Sequence, residues 1–206
     1  MSTLNKLGIA TKGTSKAAKL FEQLMPDFKN ISYNNPSEYI TSLWEAYKAY
    51  KPYNRDLNGR FFELILTTLL IRENLLPIYL SAYVAFVPNI KYDLMLFTKE
   101  RGPICLSSKT SLRERYKQAD LEAVALKYVH RKALSYLLTL DPGEASKNKA
   151  RIKSGDIIGL DDVILATSAE FDDLIKDLKQ FEPIEPPTVK VITSSQIISE
   201  EKVKKI

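Results

Sequence analysis

Apolar residues in the first third of the chain recur every three or four positions. Over residues 15–25 they are Ala17, Leu20, Phe21 and Leu24, the stripe of an amphipathic helix that Pro26 stops. Residues 37–51 carry Tyr39, Ile40, Leu43, Trp44 and Tyr47 at the same spacing, with Trp44 as a core anchor and Pro52 as the stop. A polar link follows, and Asn58 is placed to cap a helix running to Asn74. That helix has Phe61, Phe62, Leu64, Ile65, Leu66, Leu69 and Leu70 on most of its sides, so it should be buried. Glu63 within it is costly unless it meets a cation, a hydrogen-bond donor or a metal. The alternative is a narrow polar stripe with Arg60 and Thr67 that leaves Glu63 at the surface.

Beyond Pro77 the period shortens. Residues 78–87 are β-rich, and residues 91–98 and 103–109 read as two further strands joined by a polar, Gly-containing link. A helix is predicted over 111–130, with Leu112, Tyr116, Ala119, Ala123, Leu126 and His130 as its inner stripe and Ser111 and Glu114 as a capping box. Tyr116 is placed in packing rather than in base stacking. Then come a strand over 133–140 ended by Pro142-Gly143, a polar helix over 144–153, a link marked by Gly155 and Gly159, and a strand over 162–166. The last helix covers 167–181, with Thr167 and Glu170 as its capping box. Residues 182–187 form a stiff Pro-rich linker, followed by a β-prone 189–192 and a charged tail, either an edge strand or an arm. This order predicts an α/β fold, a mixed central β-sheet flanked by helices. It implies a single domain over 1–181, with its core over 58–181, a helical N-terminal part over 1–57, and an extended tail over 182–206.

Composition narrows the chemistry. No apolar run reaches the length of a membrane span and no signal-peptide core is present, so an intracellular protein without membrane attachment is expected. The one cysteine, Cys105, excludes an internal disulfide and reads as a small core residue. The one histidine, His130, argues against zinc sites and histidine-based hydrolases, and its place late in a helix suits the helix dipole. Residues 8–15 echo a phosphate loop but lack its lysine and do not follow a strand, so no nucleotide cofactor is expected. The net charge is +5. Basic residues gather in 1–20, 107–117 and 147–153, whereas 156–182 holds eight acids against Lys176 and Lys179. Such asymmetry lets a basic face turn toward nucleic acid.

The remaining chemistry is that of carboxylate and lysine. Asp93 interrupts the apolar strand 90–97, and Lys109 ends the next one after Ser107 and Ser108. A hairpin would bring this carboxylate beside this ammonium. Metal-assisted phosphodiester hydrolysis needs both: the carboxylate to hold a hard divalent cation, the ammonium to stabilise charge at the attacked phosphate. Alternation puts Ser107 on the face of Lys109 and Ser108 on the other. Ser107 is a poor direct ligand, and its part would run through a metal-bound water. The Ser108 carbonyl is another candidate metal ligand. Thr110, Arg113, Arg115, Lys117 and Gln118 follow closely enough to offer donors to phosphates and base edges, with Arg113 and Lys117 on one helical face.

This order of helix with Glu63, strand with Asp93, hairpin, Lys109 and basic helix resembles the PD-(D/E)XK nuclease superfamily, the fold of most type II restriction endonucleases. The resemblance covers roughly residues 58–140. In it Asp93 matches the Asp that starts the second core strand, Lys109 the Lys that closes the third, and Glu63 the upstream helical Glu. Ser107 departs from the pattern, standing where the acid belongs. The resemblance implies a Mg²⁺-dependent endonuclease that cuts double-stranded DNA at a specific sequence, working as a homodimer in the cytoplasm of a bacterium or archaeon. Asp93 and Glu63, with the Ser108 carbonyl, would hold Mg²⁺, and Asp93, Lys109, Glu63 and Ser107 would form the catalytic set. Two other readings stay open: a repair or recombination nuclease that recognises DNA structure, and a nuclease-like DNA-binding protein that has lost catalysis through Ser107.

Overall fold

Local capping sets where the N-terminal helices begin. In the computed structural model, which describes residues 3–10, 15–51, 54–87, 89–186, 192–194 and 196–205, the short α1 (Thr3–Lys6) precedes α2 (Lys16–Leu24), capped by the Ser15 hydroxyl. Asn35 caps α3 (Pro36–Ala49) by accepting from the Glu38 N–H. A 3-10 turn over Arg55–Leu57 leads into α4 (Asn58–Arg72). Asn58 does not cap this helix. Leu57 holds the N-cap position without a side-chain bond, and the Asn58 amide oxygen instead accepts from the Tyr47 hydroxyl at 3.0 Å.

Ten residues of α4 are buried. Each Leu, Ile or Phe among them contributes about 1.5–3 kcal/mol by leaving water, which makes α4 the spine of the larger core. Around it pack Phe21, Tyr39, Trp44 and Tyr47, the last stacked on Phe61 at 4.0 Å between ring centroids. Truncating Leu69 to Ala would open a cavity here, at a cost of about 2–5 kcal/mol.

Seven strands form one mixed sheet in the order β5-β4-β3-β2-β1-β6, with β7 also on β1. β1 (Ile78–Val84), β2 (Tyr92–Thr98) and β3 (Gly102–Lys109) run antiparallel, while β3, β4 (Leu134–Thr139) and β5 (Asp162–Leu165) run parallel. Leu94, Leu96, Ile104, Leu106, Leu138 and Ile164 face α4 and α7 (Ala169–Leu178). The other face packs under α5 (Arg115–Val129) and α6 (Pro142–Ser154), through Met95, Cys105, Leu126, Leu137 and Val163 among others. The predicted α/β architecture is therefore present, a mixed central sheet with helices on both faces. Among the described residues no helix is long and apolar enough to cross a membrane.

Several local expectations are corrected. The helix predicted from Ser111 begins at Arg115, and the Ser111–Glu114 capping box does not form. The reason is distant: the Glu144 carboxylate accepts from the backbone N–H groups of Leu112 and Arg113, and Arg113 adopts φ 36°. Those N–H groups are thereby tied into a turn instead of a first helical turn. Pro142-Gly143 does end a strand, but it also starts α6, with Pro in the first turn and Asp141 accepting from the Glu144 N–H. The Thr167–Glu170 box is absent, since α7 starts at Ala169 with Ser168 at its N-cap and no side-chain cap bond.

Within the tail, β6 (Ile192–Thr193) and β7 (Gln196–Ile198) both pair with β1, and α8 (Glu200–Lys204) follows. These segments are edge strands, the first of the two alternatives. Residues 187–191, most of the predicted β-prone stretch, lie outside the described residues, as do residues 11–14 of the phosphate-loop echo and Pro52.

Candidate active site

The β2–β3 register places Leu94 opposite Leu106, so Asp93 is level with Ser107 and two residues from Lys109. The Lys109 Nζ donates to the Asp93 Oδ2 at 2.6 Å, and the Ser108 N–H donates to the same oxygen at 3.0 Å. Both side chains are largely enclosed, at 16% and 22% exposed. The predicted carboxylate–ammonium pair across the hairpin is thus formed.

Glu63 approaches from α4. Its carboxylate accepts from the Arg60 guanidinium at 2.8 Å, and Arg60 also donates to the Ile9 carbonyl at 3.1 Å. Glu63 therefore sits on the polar stripe with Arg60 and Thr67, whose hydroxyl bonds the Glu63 carbonyl, yet its side chain is only 26% exposed. Burial raises its proton affinity. The Arg60 bond opposes the rise, the Asp93 charge adds to it and the Lys109 charge opposes it. Glu63 thus lies within electrostatic reach of the hairpin pair.

A second carboxylate feels the charges of the same pair, from the helix on the other face of the sheet. Glu122 on α5 is pushed above the usual carboxylate range by burial. The Gln118 hydrogen bond and the Lys109 charge hold it down, and the Asp93 charge pushes it further up. Sequence reasoning passed over Glu122. The available signal was its place one helical turn beyond Gln118, a residue already assigned to the site. Gln118 donates to the Glu122 carboxylate at 2.7 Å, which makes it a neighbour of the site carboxylate.

Ser107 is buried and its hydroxyl lies 3.7 Å from the Cys105 sulfur. Burial pushes the Cys105 thiol up to about 12, so it is no thiolate nucleophile near neutral pH and behaves as the core residue expected. Ser108 is also buried, and its hydroxyl has no hydrogen-bond partner among the described residues. His130 is the C-cap residue of α5. Burial lowers its proton affinity against a bond to the Ala85 backbone, so it is held toward neutrality and the expected charge–dipole interaction is not favoured.

The basic segment after Lys109 divides. Thr110, Arg113 and Arg115 line a groove of about 690 Å³ whose opposite wall is the 3-10 turn before α4 and that helix's start. Lys117 pairs with Glu114 on the outside of α5. Arg113 lies before the helix, so it and Lys117 do not share a helical face as expected. In the basic run 147–153, Lys149 is paired with Asp162 and Glu170, and Arg151 lies over the Tyr116 ring at 4.4 Å.

Carboxylate oxygens suit a hard cation, and Asp93 has Glu63 and Glu122 within electrostatic range on either side of the sheet. Among the described residues no three His, Cys, Asp or Glu side chains are drawn together into a protein-only metal cage.

A mixed sheet with this hairpin, sandwiched between helices, is a restriction-endonuclease-like fold. The chain superposes on the solved structure of restriction endonuclease PspGI in complex with its substrate DNA, with a TM-score of 0.51, over 100% of this chain and 87% of that one, at 18% sequence identity. No family model matches the chain, and no curated protein matches it.

Proposed function

We propose that the protein is a Mg²⁺-dependent endonuclease that hydrolyses phosphodiester bonds of double-stranded DNA at a specific sequence. The observation that carries this reading is the Asp93–Lys109 pair across the β2–β3 hairpin, with Glu63 and Glu122 feeling its charges from opposite faces. The fold shared with a restriction endonuclease in complex with DNA supports it.

Mg²⁺, when bound, would lower the pKa of a water and offset charge on the attacked phosphate. Asp93 and Glu63, with the Ser108 carbonyl, would hold it, and Glu122 supplies the carboxylate that Ser107 lacks. Ser107 is left as packing for Cys105. Lys109 turns from Asp93 toward the phosphate and stabilises the charge that builds up as the nucleophile attacks in line. Arg113, Arg115 and Thr110 contact the DNA. The presence of Glu122 speaks against lost catalysis.

Cutting both strands calls for two such sites, and two copies related by a two-fold axis match the symmetry of a palindromic sequence. Leu121 and Tyr128 on the outer face of α5 are 68% and 87% exposed, as is Ile158 at 73% on the loop bonded to Asp120. These residues fit a homodimer contact. The decisive experiment is incubation of the protein with plasmid DNA, with and without Mg²⁺, beside Asp93→Asn. Discrete fragments that need both Mg²⁺ and Asp93 are expected. Cleavage confined to branched DNA would favour a repair nuclease, and no cleavage of any DNA would leave a binding protein.

A further inference from the structure

The groove beside the catalytic hairpin holds more positive charge than the fold needs. Arg55, Arg113 and Arg115 all line it, and none makes an ion pair among the described residues. Of the two acids on its walls, Glu114 is taken up by Lys117, and the nearby Glu144 carboxylate is held by the backbone N–H groups of Leu112 and Arg113, which leaves Asp56 facing three arginines. All three arginines are exposed and open to an anion in the groove, and guanidinium groups are matched to phosphate oxygens by their paired donors.

A second observation comes from Gly59, on the wall opposite Arg113. It is the second residue of α4, and a Cβ built there meets nothing within 4 Å. Packing does not require glycine here, and its backbone φ is not in the left-handed region. Glycine is the poorest helix former after proline. What the missing side chain does provide is room for a ligand to lie against the first turn of α4.

We propose that this groove is a second phosphate subsite, which binds a DNA backbone phosphate flanking the cleaved one. Arg55 closes on it from the α4 side, opposite Arg113 and Arg115, and Gly59 leaves the path open. The inference rests on the nuclease reading above and adds to it Arg55, Gly59 and a position along the strand. Gly59 precedes Glu63 by one helical turn, about 6 Å of rise. Phosphates of one strand follow each other by about 3.4 Å along the duplex axis. The offset of the groove from Glu63 is thus of the order of the spacing between neighbouring phosphates.

The test is binding of a fluorescent mixed-sequence DNA duplex, without divalent metal, over a series of salt concentrations. Wild type, Arg55→Gln, Gly59→Leu and Lys109→Ala are compared, with cleavage measured in parallel in Mg²⁺. Arg55→Gln should weaken binding about tenfold on all sequences alike and reduce the salt slope by about 1. Gly59→Leu should melt no lower than wild type, because leucine favours the helix, yet bind at least tenfold more weakly. If wild type binds and cleaves, Lys109→Ala does not cleave, and both groove variants bind as wild type does, the subsite is wrong and the nuclease reading stands. If wild type binds no duplex at all, both fall together.

Discussion

The two helices that bring carboxylates toward the Asp93–Lys109 hairpin, α4 and α5, are opposite in kind. α4 is buried along ten of its residues, and Glu63 stands out on it because a charge there must be answered, here by Arg60. α5 is buried only at Ala119, Ala123 and Leu126, and it carries polar residues around most of its circumference. Glu122 on it resembles any solvated glutamate until the sheet is in place. Yet burial raises the proton affinity of both groups, and both feel Asp93 and Lys109. The difference teaches that a helix's hydrophobic pattern reports how it packs, whereas a site carboxylate is reported by what the neighbouring strand places opposite it.

The comparison assumes that both helices serve one centre, and the largest expected effect tests that centre itself. Lys109→Ala and Asp93→Asn should each reduce Mg²⁺-dependent cleavage by about 10²–10³-fold, the usual cost of removing one preorganised stabiliser of developing charge. DNA binding should persist, since neither residue lines the basic groove. Wild-type rates from either variant would show that the pair is an ordinary ion pair between strands.

Glu63→Gln and Glu122→Gln then ask whether the two helices contribute alike. Loss of a carboxylate that holds or orients a metal typically costs about 10–100-fold in affinity or activity. Both variants should therefore need more Mg²⁺ for half-maximal cleavage. A change for Glu63→Gln alone would reduce Glu122 to a bystander on a polar helix. A change for Glu122→Gln alone would assign Glu63 to its Arg60 contact.

How far the sequence reveals this molecule follows from the same contrast. The α/β order, the α4 helix, the β2–β3 hairpin and the Asp93–Lys109 pair are legible because each depends on residues close together in the chain. Alternation in β2 makes a lone Asp conspicuous, and a Gly-containing link predicts the hairpin. What escapes is set from a distance. The start of α5 moves to Arg115 because Glu144, about thirty positions on, takes the N–H groups of Leu112 and Arg113. Arg55 becomes a groove residue only when the turn before α4 is folded against the segment after β3. Glu122 needs the tilt of α5 across the sheet, which its own periodicity does not encode.

Glu144 provides a sharper test of that long-range control. Its carboxylate orders the turn that presents Arg113 to the groove. Hydrogen bonds to charged groups contribute on the order of 1.5–3 kcal/mol, so Glu144→Gln should lower unfolding stability by roughly 1–2 kcal/mol, because the amide oxygen retains part of the bonding. DNA affinity should fall along with it while the Mg²⁺ requirement of cleavage stays put. A shift in Mg²⁺ requirement would mean that the turn also positions Lys109.

The smallest expected effect separates the two helices by stability alone. A carboxyl group whose folded-state pKa is raised contributes stability below its unfolded value, and that contribution is lost as pH rises through the folded value. For Glu122 the cause is burial, so at pH 7 its ionised form costs stability that a neutral side chain would not. Glu122→Gln should therefore melt slightly higher than wild type at pH 7, with the gap closing as the buffer is taken down through the raised pKa toward pH 4. Glu63 has an arginine beside it to compensate, so Glu63→Gln should show a smaller gain or none. Mg²⁺ should reverse the order at pH 7, by stabilising wild type more than Glu122→Gln. Identical melting of wild type and Glu122→Gln at both pH values, with equal responses to Mg²⁺, would mean that Glu122 is solvated and that the α5 side contributes no charge to the centre.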